Sequence, residues 1–318
     1  MKLKALLCTT LIVGAGPVAA EEIRYALWAQ PGEAQYEGAV EFKRVVEEGS
    51  DHTVTLFPGD QLGTPREVFA QMALGSTQML ASGDPGLKEI EYLALPYLMN
   101  GIENYQEVLA TDFGQEWNAR LVDERQARML GFMPRSPRQI SANVVVESMD
   151  DLSGLKLRAP ERDYYVESLR ALGANPTPMA FAEVYTALQT GVVDGQENPI
   201  ETIYAQKFFE VQKGIAVVDY INKPAYVMIS EQFWSGLPED EQQLLRDAND
   251  ASTAVIEELL PQQAEKQIAE MEQAGVTITH PDKQPFIEAT QSVRDTLGRN
   301  VWDEDTYNAI VEIGKKEY

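Results

Sequence analysis

Apolar and polar positions follow two alternating rhythms along this chain. Ile23 to Leu27 is a short apolar run that reads as a first strand. From Tyr36, the positions Ala39, Val40, Phe42, Val45 and Val46 fall at roughly helical spacing. Thr53 to Phe57 alternates as a second strand, and Pro65 suits the first turn of a helix over Arg66 to Ala73, where its missing amide donor costs nothing. Met79 to Ala81 is a third short strand. Phe113, Trp117 and Leu121 recur every four residues, so a helix is expected from Phe113 to about Arg128, followed by strands over Met129–Met133 and Ser141–Val146. Strand and helix exchanging in this way predict an α/β protein. The 318 residues suffice for two domains.

The most informative pattern runs from Leu152 to Lys213. Leu155 and Leu157 alternate with Lys156 and Arg158, the mark of a short half-buried strand that stops at Ala159-Pro160. A guanidinium at such a strand end is placed to clamp a carboxylate with two parallel hydrogen bonds. The alternative is a solvated surface salt bridge. A helix over Tyr164–Leu172 carries Tyr165, Leu169 and Leu172 on one face, and Val184, Ala187 and Leu188 mark another over Glu183–Thr190, with Gly191 at the position of a left-handed C-cap. Val192-Val193 then reads as a buried strand, Asp194-Gly195 as a turn, and Gln196-Glu197-Asn198 as a polar cluster that Pro199 holds extended. A polar cluster just beyond a buried strand is where open α/β sheets place ligands.

These residues carry a family resemblance. LSGLKLR, GANPTPMAFAEVYTALQTGVVDGQENP and KFFEVQK resemble the pattern of the substrate-binding proteins of TRAP transporters (tripartite ATP-independent periplasmic transporters). The likeness extends from roughly Glu22 to Gly298, with FPGDQLG, ALPY and GVTITHP along it, and in the central stretch is similar to the sialic-acid receptors of that family. The resemblance implies a periplasmic-binding-protein fold: two α/β domains that close on a ligand about a hinge and then dock onto a pair of membrane permease subunits. It implies that Arg158 clamps a carboxylate, that Asn198 donates its side-chain amide to the same anion, that Phe181 packs against the ligand's carbon skeleton, and that Arg138, in its RQIS context, matches a second, variable ligand-binding arginine. Sialic-acid receptors also place a Glu among their contacts near Ser82-Gly83-Asp84-Pro85-Gly86; this chain has no clear counterpart to it, so this wall of the pocket differs. Some members of the family use a metal ion; no ligand cluster here calls for one, and no cofactor is expected.

The loops at the carboxyl ends of the first and third strands supply further candidates: Trp28, Gln30 and Glu33, then Ser82 and Asp84, whose polar groups suit hydroxyls. Trp28 is equally compatible with plain core. Pro134-Arg135-Ser136-Pro137-Arg138 reads as a proline-stiffened loop with two arginines, a partly preorganised anion site or an exposed basic loop. After strands over Ile215–Asp219 and Ala225–Ser230, a long helical tract begins at Pro238, with a kink expected at Pro261 and a span long enough to cross between domains. A strand over Val276–Thr279 and helices over Pro285–Leu297 and Trp302–Ile313 close the chain. With the resemblance, this places domain I at 21–135 and 224–262, and domain II at 136–223 and 263–318.

Composition and charge narrow the function. Lys2 and Lys4, the apolar run Ala5–Val13, and small residues at Val18 and Ala20 make a secretory signal peptide over residues 1–20, cleaved after Ala20, which sends the chain to the periplasm. The run is too short for a permanent anchor, so no stable membrane insertion is expected. The single cysteine, Cys8, leaves with the peptide. Losing Lys2 and Lys4 takes the formal charge from −24 to −26, which strongly disfavours nucleic acid or anionic lipid as partners, so no nucleic acid is expected, and requires that any anion site be set locally by buried arginines. His52 and His280, the only histidines, have neither metal-ligand nor catalytic spacing and read as surface residues. No thiol nucleophile, nucleophile elbow or phosphate loop is present in the mature chain. The reading is therefore a solute receptor, not an enzyme. Its ligand is a small organic carboxylate: a hydroxylated sugar acid (uronate or aldonate) first, or a C4-dicarboxylate with Arg138 or Arg135 taking the second acid. A secreted hydrolase using carboxylate pairs such as Glu161/Asp163 or Asp194/Glu197 is the reading from a different class.

Overall fold

The computed structural model describes residues 21–317; the expected signal peptide with Cys8 lies outside them. In chain order the strands are β1 (Glu22–Leu27), β2 (Thr53–Phe57), β3 (Met79–Ser82), β4 (Ala127–Met133), β5 (Arg138–Ala142) and β6 (Lys156–Ala159). They continue with β7 (Asn175–Pro178), β8 (Gly195–Pro199), β9 (Gly214–Ile221), β10 (Ala225–Ser230) and β11 (Thr277–Thr279). They form two sheets, ordered β2-β1-β3-β10-β4 and β11-β9-β5-β8-β6-β7. β1 runs parallel to β2 and β3, whereas β10 enters antiparallel between β3 and β4. The chain thus leaves the first sheet after β4, builds five strands of the second, and returns through β10. β10 reads AYVMIS and all six residues are buried, as expected of a central strand covered on both faces.

The sequence places most elements of the first sheet correctly, because their strands are apolar where they are buried. The second sheet departs from expectation at its centre. The buried strand is not Val192-Val193: Val192 is 57% exposed, and the strand is Gly195–Pro199, with Gln196, Glu197 and Asn198 themselves buried. An apolar-run rule overlooks this strand because its polar side chains are satisfied inside the sheet rather than by water. Gly195 is required there by close approach, since a Cβ would lie 2.3 Å from the Ser141 carbonyl oxygen on β5. β5 likewise begins at Arg138 and ends at Ala142, so Arg138 belongs to a buried strand and not to the proline loop, and the expected strand through Val146 stops early. β7 was not expected. Gly191 does adopt the left-handed conformation, with φ +72°. His52 is buried rather than at the surface: its Nε2 meets Glu241 Oε2 at 3.1 Å and its Nδ1 accepts from the Glu21 amide at 3.1 Å.

One helix, Glu239–Gln273, runs for 35 residues with Pro261 inside it. At about 1.5 Å per residue it spans roughly 50 Å. Its first half buries Leu245, Ala248 and Ile256 against the first sheet's layer, while Met271 packs in the cluster around Val193, Ile200 and Ile215 of the second. The approach to the helix Ala34–Gly49 is tight: a Cβ at Gly38 would lie 2.5 Å from Ile256. Tyr204 of the helix Ile200–Ala205 donates its hydroxyl to Glu270 farther along the long helix. The last helix, Glu304–Gly314, crosses back toward the first sheet: Asn104 donates to the Ile313 carbonyl at 2.8 Å and Asn100 to that of Gly314 at 2.9 Å. Trp302 stacks on Trp117 with ring centroids 6.3 Å apart.

Candidate functional site

Strand β6 delivers Arg158 into the second sheet's layer, 4% exposed. Its Nε and one terminal nitrogen donate to the Met179 carbonyl at 3.2 and 3.0 Å, and its guanidinium sits 5.7 Å from the centre of the Phe181 ring. Among the described residues it forms no ion pair with any carboxylate. Burial lowers its pKa from the usual value; the field of Glu197 opposes this and that of Arg138 adds to it. A buried guanidinium without a carboxylate partner costs desolvation energy in the free protein, and an incoming carboxylate offsets that cost. Phe181 is 43% exposed beside it, with one edge toward Phe208. An exposed aromatic face next to a buried cation suits a ligand with an anionic head and a carbon skeleton.

Arg138 has the opposite surroundings. The antiparallel register of β5 with β8 sets it opposite Pro199, next to Glu197 and Asn198. Its Nε and one terminal nitrogen grip both carboxylate oxygens of Glu197, the second at 2.8 Å, while the terminal nitrogen also reaches the Glu197 carbonyl at 2.9 Å and Asn198 Oδ1 at 3.0 Å. The guanidinium covers the Tyr165 ring at 5.0 Å. Burial alone would lower its pKa, but the field of Glu197 and the hydrogen bonds to it outweigh that and hold it well above the usual value. The network continues inward: Asn198 donates to Gln196 at 2.5 Å and Gln196 to Ser141 at 2.9 Å. The side chains of Arg138 and Asn198 therefore make hydrogen bonds within β5 and β8, and of Arg138 and Arg158 it is Arg158 that has no ion pair among the described residues.

The first sheet's candidates lie at the carboxyl ends of β1 and β3. Arg135 stacks 5.3 Å above the Trp28 ring, so the β1 loop meets the crossing segment between β4 and β5. Gln30 and Glu33 bind each other through the Gln30 amide and Glu33 Oε2 at 2.9 Å. Ser82 accepts from the Asp84 amide at 3.0 Å. Asp84 faces Arg162 across the cleft at 3.4 Å, and Arg162 also holds Glu91 at 2.8 Å. Asp84 and Arg162 line an open groove of about 650 Å³ with Arg66, Phe69, Tyr92 and Arg125. Two features of the region were not read from the sequence. One is the partnership of Arg135 with Glu201 and Thr202 at the start of the helix after β8. The other is Lys223, buried against the Tyr164 and Tyr226 rings and donating to the Tyr164 hydroxyl at 3.1 Å. Neither pairing leaves a spacing signal. Among the described residues no group of His, Cys, Asp and Glu is arranged to hold a metal ion, and no helix is long and apolar enough to cross a membrane.

Comparison with known proteins accounts for this architecture. Residues 25–300 match the family described as bacterial extracellular solute-binding protein, family 7. The chain is 32% identical to the sialic acid-binding periplasmic protein of Vibrio cholerae, over 92% of this chain and 93% of the relative. It is 31% identical to the C4-dicarboxylate-binding periplasmic protein of Rhodobacter capsulatus, over 88% of this chain and 87% of the relative. Among solved structures, a TRAP periplasmic solute-binding protein from Roseobacter denitrificans with bound L-galactonate superposes with a TM-score of 0.79 at 29% identity, covering 92% of this chain and 98% of that one. The hydrolase alternative falls with this finding, since the proteins of the family are receptors that work with TRAP permeases and not enzymes. A two-sheet α/β fold with a buried, anion-free arginine beside an exposed aromatic ring, in a chain matched from residue 25 to residue 300, belongs to the TRAP transporter substrate-binding proteins, bacterial extracellular solute-binding protein family 7.

Proposed function

We propose that this protein is a periplasmic receptor for a hydroxylated sugar acid, a uronate or aldonate, which it delivers to a TRAP-type membrane permease after export and cleavage following Ala20. One observation carries the reading: Arg158 is buried, half of its fork is fixed on the Met179 carbonyl, and it has no internal anion among the described residues. The remaining donors suit one carboxylate, and Phe181 offers a face to the ligand's carbon chain. The polar loops after β1 and β3 bring hydroxyl-binding groups from the other sheet. The ligand of the Roseobacter relative, L-galactonate, has this chemistry. We assign the ligand to the cleft between a first domain built on residues 21–135 and 224–262 and a second built on 136–223 and the residues from 263, with the final helix crossing back to the first.

A C4-dicarboxylate is the second reading, favoured by Arg135 as a further cation at the cleft and by the Rhodobacter relative. A thermal-shift screen over uronates, aldonates and C4-dicarboxylates separates the two, because a ligand that binds only the folded state raises the melting temperature in proportion to the logarithm of its concentration above Kd. Stabilisation by a sugar acid that is recovered unchanged supports the proposal. Stabilisation by dicarboxylates alone, or by no carboxylate, overturns it.

A further inference from the structure

Arg135 and Glu201 are brought together from different elements: the segment joining β4 to β5, and the short helix after β8. Both side chains are largely buried, 13% and 9% exposed, with Arg135 Nε 3.9 Å from Glu201 Oε1, beyond hydrogen-bond reach. Arg135 donates to the Thr202 hydroxyl at 3.1 Å, and Glu201 accepts the Ser136 amide at 3.3 Å. This leaves Arg135 Nε, a donor, and Glu201 Oε2, an acceptor, buried without partners. Such atoms are rare, and a matched pair of them asks for a group that both accepts and donates. The pair also faces the first sheet: Trp28 lies under the guanidinium, and an added Cβ on Gly83 would be 3.9 Å from its terminal nitrogen. Glu33 senses both partners: burial chiefly raises its carboxyl pKa, the Gln30 backbone amide opposes this, and more weakly the field of Glu201 raises it and that of Arg135 lowers it.

We infer that Arg135 and Glu201 form the subsite that reads the hydroxyl-bearing tail of the ligand, and that they select a polyhydroxylated monocarboxylate against a dicarboxylate. A hydroxyl answers both orphaned atoms at once, accepting from Nε and donating to Oε2. A second carboxylate answers only Nε. It would also enter a place where one guanidinium already stands among two carboxylates, Glu201 and Glu33, and like charges in a buried site repel strongly. Specificity here is therefore built partly from repulsion. Arg158, which has no such acidic neighbour in hydrogen-bond contact, remains the seat for the ligand's anion. The inference rests on the receptor reading above and assigns the second end of the same ligand.

The test is titration calorimetry of the mature wild type, Glu201→Gln and Arg135→Lys with D-gluconate, D-glucuronate, L-galactonate and succinate, on proteins shown by circular dichroism to melt cooperatively. In the wild type, the best sugar acid should bind at least about tenfold more tightly than succinate. Glu201→Gln keeps the shape but removes the charge. It should weaken the sugar acid roughly ten- to a hundredfold, the usual loss for one charge-assisted hydrogen bond, while leaving succinate unchanged or strengthened. Arg135→Lys, which keeps the charge and loses Nε, should narrow the ratio in the same direction and carries the test if Glu201→Gln does not fold. A pair that only cross-links the halves would shift all ligands by one factor; that result, or no shift, overturns the inference. Wild-type protein that prefers succinate overturns it while leaving the Arg158 seat standing, and wild-type protein that binds none of the four overturns both.

Discussion

Replacing Arg158 with methionine separates function from stability, because the free protein gains little from this guanidinium. Arg158 is 4% exposed, and its polar partners among the described residues are the Met179 carbonyl, reached by two hydrogen bonds, and the face of Phe181. The two bonds to the Met179 carbonyl come from a charged donor, so losing them costs about 1.5–3 kcal/mol. Removing a buried cation that lacks a carboxylate partner returns a comparable desolvation energy, and methionine keeps the aliphatic volume. The stability of the free variant should therefore lie within about 1 kcal/mol of wild type by urea unfolding. Affinity behaves differently. Truncating one partner of a desolvated, hydrogen-bonded charge pair costs about 2–5 kcal/mol, which at about 1.4 kcal/mol per factor of ten is a thirtyfold to several-thousandfold loss. Arg158→Lys should lose nearly as much, since an ammonium keeps the charge but not the planar fork. Calorimetry with the best sugar acid from the screen gives the affinity. A free variant destabilised by about 3 kcal/mol or more would make Arg158 a structural residue, and wild-type affinity in Arg158→Met would remove the proposed site.

Arg138 should show the reverse pattern: Arg138→Met strands Glu197 in the sheet interior, so it should lose about 3–5 kcal/mol of stability, and the double variant Arg138→Met/Glu197→Leu should recover much of that in a double-mutant cycle. Single variants that unfold at the wild-type urea midpoint would refute the buried-pair assignment. The pH dependence should come from acids that cap helices and turns. Backbone amides of Thr306 and of Glu147 and Ser148 hold the carboxyls of Asp303 and Asp151 below their ordinary value of 3.8. A lowered folded-state pKa means stability that is complete above the unfolded value and is lost as pH falls through the folded one. Stability should therefore decline on acidification below about pH 4, and Asp303→Asn, which caps without titrating, should flatten that decline. Glu201 contributes with the opposite sign: burial raises its pKa above the ordinary 4.5, so its stabilising share is present at low pH and is lost as pH rises through the folded value. An acid limb unchanged in Asp303→Asn would count against the cap's role.

The sequence by itself determined the class of the fold and the strand that carries Arg158, the arginine proposed as the ligand's seat. β1, β3 and β10 are legible because their apolar side chains are buried, and β2 because its alternation is set around the buried Val54. The alternation from Leu155 to Arg158 places Arg158 at a strand end whatever the rest of the chain does. The central strand of the second sheet was not legible. Gly195–Pro199 is buried and polar, and what makes that tolerable is Arg138, 59 residues away from Glu197 and brought within reach of it only by the antiparallel register of β5 with β8, which sets Arg138 opposite Pro199. No local pattern encodes such a register. For the same reason the linear pattern put Arg158 at a strand end and Arg138 in a proline-stiffened loop, with no sign that Arg138 begins a buried strand. Tertiary structure distinguishes their surroundings, giving Arg138 the Glu197 carboxylate and leaving Arg158 without an ion pair among the described residues. Arg135 and Glu201 repeat the lesson: each is an ordinary surface type in sequence, and burial against each other from separate segments leaves two polar atoms unmatched. Propensity and periodicity are local and survive in a linear string, whereas the pairing or orphaning of a buried charge depends on which distant segments the fold brings within a few ångströms.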